Sequence, residues 1–541
     1  MKFIRLLYTE AGQYRWRLIG SVTAAGAAMA LMMTIVNSVA DLKPDMSVDW
    51  QQFFLFALCA LTVIVMQVYS LNLTAALSER ILQRVRVRIA DLVRRSELDG
   101  IEQIGQMRVC DTIARETTVI SESSGVIIHS MTSMVALILA SAYIAAISMT
   151  AFIVVGVLLA AWAYFYYFSQ RKSRGQLIEA MAAEGHFFNL LSHLLYGFKE
   201  VKLHSARGED LEKVHLANAS IDAEEKKVAA ARRFNSGLVV SYGTFYVLLG
   251  SAVFILPQHL GDVRTAMKVV YVVIFMFASV EAISRAMPML SKATLALENI
   301  DNLETNLVRA TRDRTELVLD PPTSFEQISL ERVVYTHRGP DNAPVFTLGP
   351  CDLTLKAGET VFLVGGNGSG KSTLVRVLTH LYETEAGAII WDGQLVRESN
   401  VSRYRNLFSA VYADFHLFDR LYGMDDVDPE RVRGLLADVG LGDKTGYEDG
   451  KFTTLDLSTG QRKRLALVVA LTEDRPIFVL DELSADQDPG FRRRYYEEFL
   501  PALKAQGKTL IVVSHDERYF HLADHVVTME DGRFVQETLA T

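Results

Sequence analysis

Thr360-Val361-Phe362-Leu363-Val364-Gly365-Gly366-Asn367-Gly368-Ser369-Gly370-Lys371-Ser372 runs from an apolar strand pattern into a glycine-rich turn, after which residues 373–381 take up helical spacing. Strand, GxxxxGK[ST] turn and helix in that order make a phosphate cradle. Its glycines let backbone N–H groups close around phosphate oxygens, and the helix N-terminus behind them adds a favourable dipole. Lys371 has the length to reach β- and γ-phosphates, and the Ser372 hydroxyl suits Mg2+. Around this stretch, from Pro321-Pro322 onward, short β-branched runs alternate with helical patterns, which predicts an α/β domain.

Two further strands fit the same site. Ile477-Phe478-Val479-Leu480 ends in Asp481-Glu482. An acid at the carboxyl end of such a strand suits the metal, and a second acid beside it can polarise an attacking water. Thr509 to Val513 ends in Ser514-His515, which puts an imidazole where it can sense a γ-phosphate; an ordinary surface histidine is the plainer reading.

Working outward, the 541 residues are 50% hydrophobic and only 22% charged, with a mean hydropathy of +0.18. That is too apolar for an ordinary soluble enzyme, so part of the chain belongs in lipid. The net charge of −8 and pI near 5.9 argue against a global attraction to nucleic acid. Cys59, Cys110 and Cys351 form no CxxC pair, which leaves neither a disulfide framework nor a sequence-evident zinc site.

A bilayer core of about 30 Å takes about 20 apolar residues in helix. Residues 18–40, 50–78, 123–170 and 234–261 contain no Asp, Glu, Lys or Arg, and residues 267–290 are interrupted only by Lys268, Glu281 and Arg285. The third run is about twice the required length, so it crosses, turns near Ser148 and Thr150 and returns. Six spans result. Lys2, Arg5, Arg15 and Arg17 precede an apolar run too long for a signal peptide. The 2–3 loop (Arg80, Arg84, Arg86, Arg88, Arg94, Arg95, Arg108, Arg115) and the 4–5 loop (Arg171, Lys172, Arg174, Lys199, Lys202, Lys213, Lys226, Lys227, Arg232, Arg233) are basic. Both are therefore expected in the cytoplasm. The turn regions with Asp41, Lys43, Asp45, Asp49 and with Asp262 face the other way. The long loops have helical composition and read as levers that continue the membrane helices. Glu281 and Arg285, four residues apart, share a helix face and can pair; they line a protein interior or anchor the helix at the cytoplasmic border.

Between the phosphate cradle and Asp481-Glu482 lies Leu457-Ser458-Thr459-Gly460-Gln461, followed by Arg462, Lys463 and Arg464. With these motifs in this order after six spans, the chain resembles an ATP-binding cassette (ABC) exporter half-transporter over nearly its whole length, Thr459 standing where the family signature has a glycine. The resemblance implies six transmembrane helices of the type IV exporter kind (residues 1–290), a helical linker (291–324) and an α/β P-loop NTPase domain (325–541). It implies ATP and Mg2+ as cofactors. Gly365, Asn367, Gly368, Ser369, Gly370, Lys371, Ser372 and Thr373 would form the phosphate loop, Asp481 would be the magnesium-associated acid, Glu482 the general base and His515 the switch histidine. Ser458, Gly460 and Gln461 belong to the signature, Asp488 to the D-loop, and Tyr335 resembles the aromatic that stacks on adenine, although an aromatic on a strand is more often core. Where the family has a glutamine that approaches Mg2+, this chain has Ala413; either Asp414 substitutes or the coupling contact differs.

FSAVYADFHLFDRLYG (408–423), LSTGQRKRLAL (457–467), DELSADQDP (481–489) and the segment from Leu194 to Leu203 are similar to the cyclic-peptide and siderophore-peptide exporters. That resemblance implies a bacterial inner-membrane homodimer, surrounded by lipid, that moves a peptide-like cargo outward. It leaves accessory periplasmic or outer-membrane efflux components open. Glu200 with its neighbours and residues 104–110 are where the family's coupling helices meet the nucleotide domains; a solvated amphipathic helix is the alternative. Three other functions compete with this reading. A lipid or multidrug exporter shares the architecture. A silent heterodimer subunit would usually lack Glu482, Ser458 or His515. A soluble nucleic-acid protein is excluded by the spans.

Overall fold

The computed structural model describes residues 12–39, 50–171, 173–260, 263–311, 321–339 and 343–539. Lys2, Arg5, Asp41, Lys43, Asp45, Asp49, Lys172, Asp262 and linker residues 312–320 lie outside them. By its contacts the chain divides into two units, Met1–Ile89 with Met107–Glu304, and Ala90–Gln106 with Thr305–Thr541.

The first unit is helical. Six helices among the described residues are long and apolar enough to cross a membrane. They begin with α1 (Arg15–Val39), α2 (Trp50–Arg95) and, after the short α3 (Leu98–Ile104) of the second unit, α4 (Gln106–Ile147). Next come α5 (Met149–Arg171) and α6 (Ser173–Tyr196), which count as one span, the short α7 (Phe198–Leu203), which is not one of the six, α8 (Ala217–Gly250) and α9 (Val263–Ala310). The turn inside the long charge-free run falls at Ser148, whose Oγ accepts from the Ala151 N–H at 3.3 Å and so caps the return helix. With 46 residues, α2 is roughly 70 Å long at about 1.5 Å per residue, far more than a bilayer needs. The surplus is the expected lever.

In a membrane-spanning bundle, polar side chains are satisfied chiefly by one another. Trp162 donates to Ser241 Oγ at 2.9 Å, Ser241 and Ser284 share a bond of 2.8 Å, and the Tyr166 hydroxyl donates to the Ser284 carbonyl at 2.6 Å. These bonds tie α5, α8 and α9 within an apolar cluster that includes Val155, Leu248, Val272 and Met276. The expected boundary at residue 290 falls inside α9, which runs on through Pro288 without a break to Ala310. Buried Glu116 explains why this stretch stays with the helical unit. It accepts from Asn299 Nδ2 at 2.9 Å, and Glu304 pairs with Arg88 at 2.7 Å.

The second unit is built on strands β1 (Gln327–Arg338), β2 (Pro344–Lys356), β3 (Thr360–Gly365), β4 (Ala386–Trp391), β5 (Gln394–Leu395), β6 (Phe408–Val411), β7 (Ile477–Asp481), β8 (Thr509–Val513), β9 (His525–Glu530) and β10 (Arg533–Leu539). One sheet has the order β2-β1-β4-β5 and is antiparallel; the other has the order β10-β9-β3-β8-β7-β6. In the latter β9, β3, β8, β7 and β6 run parallel. Strands β7 and β8 are buried throughout, as expected for apolar runs covered on both faces. The consequence for function is direct. Leu363 pairs with Val513 and Val513 with Asp481, so the turns after β3, β8 and β7 open at one sheet edge, where ligands of parallel sheets bind.

Residues 90–106 belong to this second unit. Leu98 of α3 packs against the cluster containing Tyr335, Leu374, Leu378 and Tyr404. Glu97 accepts from Arg405 at 2.6 Å, and Glu102 accepts from the Tyr382 hydroxyl at 2.8 Å. The residues of the 2–3 loop that touch the nucleotide-binding unit thus come just before the expected stretch 104–110, because α4 already begins at Gln106.

Candidate nucleotide site

The turn after β3 curls as the glycines allow. Gly368 and Gly370 have φ of 79° and 101°, in the left-handed region that side-chain residues avoid. Asn367 and Gly368 are exposed at the rim, and Thr373 lies in the first turn of α10 (Lys371–Leu378). Lys371 is buried and donates to the carbonyls of Gly365 and Gly366, each at 3.0 Å. Burial lowers its pKa, while Glu482 and Asp481 pull the other way. The Ser369 hydroxyl is buried and has no partner among the described residues. A buried hydroxyl is expected to have one, and a phosphate oxygen in this cradle would supply it.

Asp481 ends β7 and is buried. Burial raises its pKa, opposed by hydrogen bonds from the Ala413 N–H and the Ser372 hydroxyl. Its Oδ1 has no partner among the described residues. Among the described residues no three His, Cys, Asp or Glu side chains gather to hold a cation. Asp481 and Ser372 therefore fit a hard cation that takes its remaining ligands from phosphate and water, as Mg2+ does. Glu482 follows with φ of 51°, and its carboxylate lies 3.5 Å from His515 Nε2.

The signature residues start α11 (Thr459–Glu473). Ser458 and Gln461 form a reciprocal cap, with Ser458 N–H donating to Gln461 Oε1 at 3.0 Å and Gln461 N–H to Ser458 Oγ at 3.4 Å. Gly460 accepts from Gln487 Nε2 at 2.9 Å. A Cβ at Gly460 would stand 2.6 Å from the Asp486 carbonyl oxygen, so only glycine fits. Asp488 accepts from the Phe491 N–H at 2.9 Å and pairs with Arg464. Among the described residues these bonds join the signature residues to one another and to Gln487.

Two expectations are corrected. Tyr335 is 5% exposed, one ring face lies on Tyr382 with centroids 4.7 Å apart and 4° between planes, and its hydroxyl donates to Asp99 at 3.3 Å. It is core, with no face left for a base. His337 lies two residues further along the same face of β1, half-buried, with Nε2 3.4 Å from Thr373 Oγ1. Asp414 does not bond to Asp481. Its carboxylate is taken by Arg376 of α10 at 2.7 Å, and from this loop it is the backbone N–H of Ala413 that reaches Asp481. Arg376 also donates to the Tyr382 hydroxyl at 2.9 Å, which continues to Glu102 of α3.

The family of ABC transporters matches residues 348–485. The chain is 31% identical to the ATP-binding protein SyrD of Pseudomonas syringae pv. syringae, over 99% of this chain and 96% of that one. It is 35% identical to the ATP-dependent lipid A-core flippase of Ralstonia nicotianae, over 39% of this chain and 37% of that one. A bacterial Atm1-family ABC exporter solved with ATP bound superposes with a TM-score of 0.78 at 15% identity, covering 97% of this chain and 95% of the other. Six spans, the cradle of Gly365 to Ser372, the signature and the Asp481-Glu482 strand end thus sit on one exporter fold. The chain belongs to the ABC transporter family, with six candidate membrane spans ahead of one ATP-binding domain.

Proposed function

We propose that two copies of this chain form an exporter in which MgATP hydrolysis moves a peptide-like compound, a cyclic peptide, lipopeptide or siderophore precursor, out of the cytoplasm. Ser372 and Asp481 would hold Mg2+, Lys371 would bear on the β- and γ-phosphates, and Glu482 would polarise the attacking water with His515 beside the γ-phosphate. Ser458, Gly460 and Gln461 of one copy, with Asp488 nearby, would complete the site on the other. The dimer is supported by apolar side chains of the basic 4–5 loop, beyond the charge-free spans. Tyr196 and Leu203 are each 79% exposed, and such a patch calls for a covering surface, which a second copy supplies.

His337 takes the adenine-stacking role first given to Tyr335. Loss of one base–aromatic stack costs about 1 kcal/mol or more, so His337→Ala should raise the KM for ATP about fivefold with kcat little changed. Steady-state ATPase kinetics checks this, and an unchanged KM would return the role to another ring.

The observation that supports the cargo reading is that similarity to SyrD runs over 99% of the chain at 31% identity, whereas the lipid A-core flippase matches cover 34% to 63% of it, the longest at 24% identity. In α9, Arg285 pairs with Glu281 at 2.7 Å, and Tyr242 of α8 donates to Glu281 at 3.3 Å. Charges in a span face protein or water rather than lipid, so this cluster is a candidate for cargo contact. In proteoliposomes, a cyclic lipopeptide should raise ATPase activity at least twofold and lipid A-core should not. Glu281→Gln with Arg285→Gln should abolish that stimulation while basal turnover stays within twofold. Stimulation by lipid A-core alone would favour a lipid exporter of the same architecture, and a double variant that responds like its parent would make the pair a helix anchor.

A further inference from the structure

We propose that Lys463 is a positioning residue that holds Glu482 in its working conformation. Lys463 stands in α11, one turn beyond the signature residues, and is 6% exposed. Its ammonium donates to the Glu482 carbonyl at 3.0 Å, the Ala485 carbonyl at 3.2 Å and the Asp486 carboxylate at 3.2 Å. An ammonium has three donors, and all three are used on one turn. Two residues of that turn, Glu482 with φ of 51° and Asp486 with φ of 63°, are in the left-handed region although neither is glycine. Such a conformation persists only where the surroundings over-determine it.

Two backbone carbonyls converging on one point repel each other, and a buried cation between them removes that repulsion while satisfying its own lost hydration. Glu482 is fixed from the other side by its N–H, which donates to Val513 at 3.2 Å. With both backbone groups held, its carboxylate stays 3.5 Å from His515. Arg464 reinforces the same clamp through Gln487 at 2.8 Å and Asp488, and the Gly460 backbone sits against the Asp486 carbonyl. Residues 458–464 and 482–488 therefore move as one body, and whatever settles on the signature also sets the orientation of Glu482.

The inference rests on the proposed role of Glu482 as base. In the full-length reconstituted protein, Lys463→Met, which keeps the length and removes the donors, should lower kcat for ATP at least tenfold while the KM for ATP and the affinity for a fluorescent ATP analogue stay within twofold. In a Glu482→Gln background the same change should alter the residual rate less than twofold, because a base that is absent cannot be mispositioned. A kcat within twofold of the parent, a KM that rises in step with the fall in kcat, or a further tenfold loss in the Glu482→Gln background would each overturn the proposal. Should Lys463→Met fail to fold, Asp486→Asn at the exposed end of the clamp gives the second arm. It should lower kcat about threefold with KM unchanged, and a parental rate there would also overturn the proposal. Full activity in Glu482→Gln alone would refute the base assignment whatever Lys463 does.

Discussion

Purified protein carrying Glu482→Gln should bind ATP with parental affinity and turn it over about 10² times more slowly or less, the scale of a lost general base. The expectation follows from where the residue stands. Glu482 is the residue after the buried metal acid, on the turn beyond β7, with its carboxylate 3.5 Å from His515 and its backbone pinned by Val513 and Lys463. Glutamine keeps the shape and loses the ability to take a proton. Nucleotide binding rests on other groups, so the variant should accumulate in a nucleotide-bound form. Parallel measurements of ATP-analogue affinity and phosphate release test this, and near-parental turnover would remove the assignment.

The second large effect is expected at Lys371. Its ammonium spans the Gly365 and Gly366 carbonyls, and on the proposed role it would exchange those carbonyls for phosphate oxygens when ATP binds. A hydrogen bond to a charged group is worth about 1.5–3 kcal/mol. Lys371→Ala should therefore weaken ATP binding roughly 10- to 100-fold, with hydrolysis falling to background. Titration with a fluorescent ATP analogue reads it directly, and a Kd within threefold of the parent would sink the idea. This loss differs in kind from that of Glu482→Gln, in which binding survives.

Much of this molecule is legible in the sequence because lipid and phosphate impose strict demands. A run such as 123–170 without a charge has one explanation, and Ser148 marks the turn where it was expected. The cradle, the signature and Asp481-Glu482 are equally explicit, since backbone approach to phosphate restricts which residues can stand there. Tyr335 misled because strand periodicity places it and His337 on the same face, and only the packing of Tyr382 and α3 tells which ring is covered. A signal was available. His337 is the aromatic nearer the strand end, beside the phosphate turn. The pairing of Asp414 with Arg376 was out of reach, since it depends on how α10 lies beside a loop some forty residues away in sequence. So did the membership of residues 90–106, a stretch with no unusual composition that earns its place through three acidic side chains and Leu98.

That last feature has a consequence for inheritance. Because Ala90–Gln106 folds with Thr305–Thr541, the heritable cassette is discontinuous along the gene. A single crossover near residue 305 between two related transporters would unite a cassette with a foreign α3, leaving Arg405 and Tyr382 facing whatever replaces Glu97 and Glu102. Productive exchange would need a double crossover that carries the short hairpin along, or compensating change at those four positions.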